Sequence, residues 1–199
     1  MKSSSQVPLR EQVSKYDCVP TTFLNALSLL FRRDEIPPLA IQRIFLHCLD
    51  NVAGKTRLGH GTTASAVRHL AGWLDRYETD TYVATWCYLS DSEVNLAEGG
   101  PVLGALKPKS TVLLRVTDGS SGWHYILVLR ADKEWIYAFD PYPKNFRQVN
   151  KHQYQLLEPQ GLHEPNVRIA RAHLRAYSRN GRYRLGLKDD REAVRVSRR

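Results

Sequence analysis

Three stretches of the chain repeat their apolar residues at helical spacing, and four more have the β-branched and aromatic character of strands. The first helical stretch places Val19, Phe23, Ala26, Leu27 and Leu30 on one face. Asp17 is a favoured N-cap residue. Pro20 fits a first turn, because the amide hydrogen it lacks has no intrahelical acceptor there. The pattern therefore predicts a helix that starts at or next to Cys18. Pro37 and Pro38 open a second pattern with an apolar face of Leu39, Ile41, Ile44, Phe45, Cys48 and Leu49, on which Cys48 reads as a buried small hydrophobe. Asn51 to Gly61 is a loop punctuated by Gly54, Gly59 and Gly61. Thr62 or Thr63 then caps a third helix that buries Ala66, Val67, Leu70, Trp73, Leu74 and Tyr77.

From Thr81 to Leu89 the chain reads as a strand, and further strands are predicted over 111–116, 123–130 and 134–140. Asp118 to Gly122 forms a turn between the first two of these, and Ala131 to Lys133 a turn between the last two. Pro141 and Pro143 end the last strand, since proline cannot donate to a ladder. Weaker signals follow at 154–157, 169–177 and 183–187.

Composition bounds this picture. A chain of 199 residues with 42% apolar content is one domain with a real core. No apolar run approaches the roughly 20 residues of a membrane span, and Met1 to Gln12 contain no apolar segment of the secretory kind. Cys18, Cys48 and Cys87 form neither a disulfide framework nor a zinc-ligand pattern, which suits a reducing cytoplasm. The net charge of +9 is uneven. Residues 168–199 hold ten Arg and one Lys against Asp189, Asp190 and Glu192, a net of +8, whereas residues 1–167 are nearly neutral. The division this suggests is a domain over 1–167 and a basic C-terminal segment over 168–199, packed on or extending the same domain. Such a segment can bind a weak anionic partner, nucleic acid included, or simply be a solvated and paired surface. It lacks the aromatic density of a single-strand stacking platform.

The candidate chemistry starts at Cys18. At the head of a helix, unpaired amides and the helix dipole stabilise a thiolate. A three-residue turn of Ala131, Asp132 and Lys133 would pair Arg130 with Glu134 and set His124 directly opposite Asp140. Opposed residues share a sheet face, with Cβ atoms about 4.5–5.5 Å apart. Cys18 is then the nucleophile, His124 its proton acceptor and later the acid for the leaving amine, and Asp140 the group that orients the imidazole. Gln12, six residues before Cys18, can fold back beside the helix end and form an oxyanion hole with the Cys18 amide. This constellation supports acyl transfer through a thioester. His60, in the glycine-rich approach to the third helix, either lines a cleft or is an exposed loop residue.

The joint pattern of Gln12, Asp17-Cys18-Val19-Pro20, Gly61-Thr62-Thr63, His124-Tyr125-Ile126-Leu127-Val128 and Asp140-Pro141 resembles the papain-like cysteine peptidase superfamily. Within it, the pattern is similar to free-standing relatives of the bacterial leader peptidases that cut after a double glycine. Val19 stands where those proteins carry glycine, and no ATPase or membrane segment accompanies the motif. The resemblance spans roughly residues 10 to 145. It implies an α+β fold, with an N-terminal helical lobe packed on an antiparallel sheet. It also implies cysteine peptidase or amidase activity on a peptide or protein substrate, no cofactor and no metal, and the same roles for Gln12, Cys18, His124 and Asp140. Acyltransferases share this motif, as do inactive relatives that serve as peptide-binding modules, here with a basic segment for nucleic acid or another partner.

Overall fold

A computed structural model describes residues 5–53, 57–120, 122–142 and 151–199. Gly54, Ser121 and Pro143, which the sequence pattern places in turns, lie outside the described residues. The elements are, in order, helix α1 (Cys18–Leu30), helix α2 (Pro38–His47), a small hairpin of β1 (Val52–Ala53) and β2 (Arg57–Leu58), and helix α3 (Ala64–Arg76). Strands β3 (Ala84–Ser90), β4 (Ser110–Thr117), β5 (Trp123–Ala131), β6 (Trp135–Phe139), β7 (Tyr154–Leu156) and β8 (Val167–Ala170) follow, then the single turn α4 (Arg171–Leu174) and strand β9 (Glu192–Arg198). The architecture is mixed helix and sheet. Seven strands form one antiparallel sheet in the order β3-β9-β4-β5-β6-β8-β7.

Both faces of this sheet are covered, which explains the nearly continuous apolar runs of β4 and β5. On one face α1, α2 and α3 pack Phe23, Leu27, Ile44, Val67, Leu70 and Leu74 against Trp86, Leu113, Tyr125, Leu127, Phe139, Val194 and Val196. On the other, Val112, Leu114, Ile126, Val128, Ile136, Ala138 and Ile169 meet Val94, Leu96, Leu174, Tyr183 and Leu185 from the connecting segments. The alternation between the two sets along each strand follows the pleat.

Helix α1 is buried almost throughout. Asp17 occupies its N-cap position, but its carboxylate does not cap the helix, contrary to the sequence expectation. It accepts instead from the amides of Val13 (2.9 Å) and Ser14 (2.7 Å) and from the Ser14 hydroxyl (2.6 Å), so it folds the loop ahead of the helix. Helix α2 also differs from expectation. It buries Ala40 and Ile44, with Cys48 just beyond its end, while Leu39, Ile41 and Phe45 are exposed. The buried positions lie four apart, a narrower stripe than the apolar pattern suggests. Helix α3 is capped by Thr63, whose hydroxyl accepts from the Ala66 amide at 3.2 Å.

The hairpin of β5 and β6 corrects the expected register. Ala131 pairs with Ile136 and Arg130 with Tyr137, then the register shifts at Leu129, and Val128 pairs with Ala138 and Leu127 with Phe139. Continuing that register sets Asp140 level with Ile126, two positions from where His124 stands. The longer turn is built by Asp132, whose carboxylate accepts from the amides of Glu134 (2.8 Å) and Trp135 (2.7 Å). That turn alone would move Asp140 to the face opposite His124. The bulge at Leu129 adds one residue to β5 and returns the two to the same face, now as diagonal neighbours.

Residues 168–170 and 192–198 are part of this sheet. The position between 167 and 168 falls inside β8, and β9, which the sequence signals do not mark as a strand, lies between β3 and β4. Many of the arginines of this segment are paired, as in Arg171 with Glu98, Arg179 with Asp190, Arg182 with Asp140 and Arg198 with Glu35.

Candidate active site

The site lies where α1 begins, β5 begins and β6 ends. Cys18 is the first residue of α1 and is buried. Its amide and that of Val19 have no acceptor within the helix, and Asp17 spends its carboxylate elsewhere. Thr22 ties this first turn to the sheet: its hydroxyl lies 2.6 Å from the Cys18 carbonyl and 3.2 Å from that of Tyr125 on β5.

His124 and Asp140 are brought together despite the altered register. His124 Nε2 lies 2.5 Å from Asp140 Oδ1, and both side chains are buried. The Cys18 side chain also acts on the imidazole, among the influences that raise its pKa. Because Nε2 is engaged by Asp140, Nδ1 is the nitrogen left for the sulfur. Burial pulls the His124 pKa down, but the Asp140 charge and hydrogen bond, with Cys18 behind them, outweigh it and lift the value to about 9. Burial would raise the pKa of Asp140, yet His124, Arg182 and Tyr183 hold it well below the usual carboxylate range. The favoured charge state is an imidazolium against a carboxylate.

Three residues that the sequence reading did not identify complete the setting of Asp140. Oδ2 accepts from Arg182 Nη2 at 2.7 Å and from the Tyr183 hydroxyl. The main chain of Asp140 is clamped by Asn166: the Asp140 amide donates to Asn166 Oδ1 at 2.7 Å, and Asn166 Nδ2 donates to the Asp140 carbonyl at 2.8 Å. Tyr183 adopts a left-handed φ of 58°, a conformation that costs free energy for a residue with a side chain. A buried tyrosine hydroxyl and guanidinium, both aimed at one carboxylate from about 40 residues downstream, leave no local sequence signal; the isolated left-handed residue carries none either.

Gln12 is placed next to this group by its backbone. Its amide donates to the Pro141 carbonyl at 2.8 Å, and Asn25 of α1 holds the preceding segment by exchanging 2.9 Å hydrogen bonds with the Arg10 main chain. The Gln12 side chain is less committed to the expected role. Nε2 donates one hydrogen to the Ser14 carbonyl at 2.5 Å, which leaves its second hydrogen for any oxyanion. The side-chain oxygen of Gln12, Oε1, is buried without a hydrogen-bond partner among the described residues.

Two adjoining clefts open onto the site. One, of about 420 Å³, reaches Cys18 and Val19 and is walled by His60, Thr62, Arg115 and Tyr125. The other, of about 280 Å³, reaches Gln12, His124 and Arg182. Lys15, Tyr16, Asp118 and Trp123 line both, so the two clefts meet at these four residues. His60 is thus a cleft residue, its ring packed 4.5 Å from that of Tyr16. Cys48 and Cys87 are also free thiols. Burial, with Asp50 and Cys18 adding to it against a hydrogen bond from Thr62, pushes the Cys48 thiol up to about 12.

No protein-family model and no curated protein sequence matches this chain. Among the described residues no helix is long and apolar enough to cross a membrane.

Proposed function

We propose that the protein is a papain-like cysteine peptidase or amidase. The observation that carries this reading is the buried His124–Asp140 pair, with Cys18 at a helix start and acting on the same imidazole. The element order supports it too: a thiol-bearing helix is laid against an antiparallel sheet whose adjacent strands bring the histidine and the aspartate. In this reading the Cys18 thiolate attacks the carbonyl carbon of a peptide or amide. The oxyanion is met by the Cys18 amide and the second hydrogen of Gln12 Nε2. His124 gives its proton to the departing amine, the acyl group remains on sulfur as a thioester, and His124 then accepts a proton from water as hydroxide equivalent attacks and frees the acid. Asp140 keeps the proton-bearing Nε2 turned inward and Nδ1 turned to sulfur.

The test is the pH dependence of alkylation, read separately at each cysteine by mass spectrometry. A His-paired thiolate commonly titrates at about 3.5–7.5, against about 8.5 for an ordinary thiol. Cys18 is expected to react below neutral pH and to slow sharply in His124→Ala, while Cys48 stays inert. An ordinary thiol profile at Cys18, unchanged by His124→Ala, overturns the proposal. With a substrate in hand, Cys18→Ala abolishes turnover, Asp140→Asn lowers it by up to about 10⁴ and Gln12→Ala by about 10²–10³.

A further inference from the structure

The floor of the cleft beside Cys18 carries a row of polar side chains that the peptidase reading does not use. Arg115 on β4 pairs directly with Tyr125 on β5, and the adjoining register of β4 and β9 brings Glu192 to its other side. All three line the cleft that Cys18 opens onto. They are tied to one another: Arg115 Nη1 donates to Glu192 Oε1 and to the Asp190 carbonyl (3.1 Å), and the Tyr125 hydroxyl donates to Glu192 Oε2 at 2.5 Å. The guanidinium lies 4.1 Å over the ring of Trp123. Arg115 is therefore held at one end and on one face, with its side chain 18% exposed.

Its remaining edge is open. Nε and Nη2 form no hydrogen bond with the described residues, and neither is sealed away from solvent. These two nitrogens are the side of the guanidinium fork that matches a carboxylate with two parallel N–H···O bonds. The protein itself uses that edge in this way: Arg179 Nε and Nη2 grip the two oxygens of Asp190 at 2.7 and 2.5 Å. Lys15 and His60 stand on the same cleft, while the carboxylate of Asp118 is turned to the amides of Ser120 and Gly122.

We propose that Arg115 forms a carboxylate subsite, and that the acyl substrate carries a carboxylate beside the bond cleaved. The carboxylate belongs either to an acidic side chain or to a chain terminus. The proposal rests on Cys18 being the reactive thiol, and its test keeps the two apart. Cys18 is alkylated with bromoacetyl-glycine, bromoacetyl-aspartic amide and the uncharged bromoacetyl-glycinamide, each displacing bromide at the thiolate sulfur, with glutathione as the reference thiol. The expected result is a rate at least about tenfold greater for one charged reagent over the amide, after correction by glutathione, which is the gain of one charge-assisted bidentate contact. Preference for bromoacetyl-glycine assigns a terminal carboxylate, and preference for the aspartic reagent assigns a side chain. In Arg115→Gln the preference disappears while the amide rate persists. Acetyl-aspartic amide or acetyl-glycine, matched to the preferred reagent, competes with it in the unmodified protein, which makes the test independent of how the variant folds. Equal corrected rates for all three reagents overturn the subsite but not the peptidase reading. Slow reaction with every reagent, with no loss in His124→Ala, overturns both.

Discussion

His124 combines two opposed influences, burial that disfavours its charge and an Asp140 carboxylate that sustains it, and the balance sets its pKa at about 9. A reaction that needs the imidazolium to protonate a leaving amine should therefore hold its rate until the pH climbs through about 9. Asp140→Asn removes the sustaining charge and is expected to move this alkaline limb toward neutral pH; a profile of kcat/KM, or of Cys18 alkylation in the absence of a substrate, checks it. The same group links pH to stability. Its folded pKa lies above the unfolded value of about 6.5, so its contribution is complete below that pH and is lost as pH rises through about 9. Asp140 acts in the opposite sense: its depressed pKa stabilises the fold above about 3.9, and that contribution is lost in strong acid. Tyr183→Phe deletes a donor to a buried carboxylate and is expected to cost about 1–3 kcal/mol, measured as a fall in the urea midpoint without a change in slope. Cys18, His124, Asp140 and Gln12 were readable in the sequence because each stands next to a structural marker: a helix start, a strand start, a proline, or an interval of six. Arg182, Tyr183 and Asn166 have no such marker, since what defines them is proximity to a carboxylate far away in the chain.

Strand and helix existence was legible wherever apolar spacing was strong, as in α1, α3, β4 and β5. It failed at β9. Glu192-Ala-Val-Arg-Val-Ser-Arg carries a charge at each end and one in its middle, and these conceal a strand that the structure buries on both faces through Ala193, Val194 and Val196. The register of β5 and β6 was legible only as to face, because turn length and the Leu129 bulge changed together and their effects on face cancelled. The burial of β9 makes a sharp prediction. Val194 is fully buried between β3 and β4 and packs in the core shared with α1. Val194→Asp sets an unpaired carboxylate there and should remove cooperative unfolding altogether, seen as a flat thermal transition by circular dichroism. Leu27→Ala, on the helix that carries Cys18, leaves the fold intact but costs about 2–5 kcal/mol for the cavity it opens.

Across the whole molecule the excess of positive charge is distributed into contacts. Arg198 bonds both oxygens of Glu35 at 2.8 Å and the Leu30 carbonyl at 3.1 Å, joining β9 to the connection between α1 and α2. The Arg198 hydrogen bond, aided by the Arg32 amide, lowers the Glu35 pKa to about 2. The pair is partly exposed, so solvent and salt weaken it. Arg198→Ala should cost about 0.5–1 kcal/mol in dilute buffer and less in 1 M salt, by paired urea titrations.

The place of β9 between β3 and β4 also has a temporal side. A growing chain delivers both neighbours long before the strand that joins them, so the sheet stands open along its middle during synthesis. Arg182 and Tyr183, which grip Asp140, emerge late as well. A partly made chain thus already holds Cys18 and His124 before it holds the strand that completes the sheet or the two residues that fix Asp140.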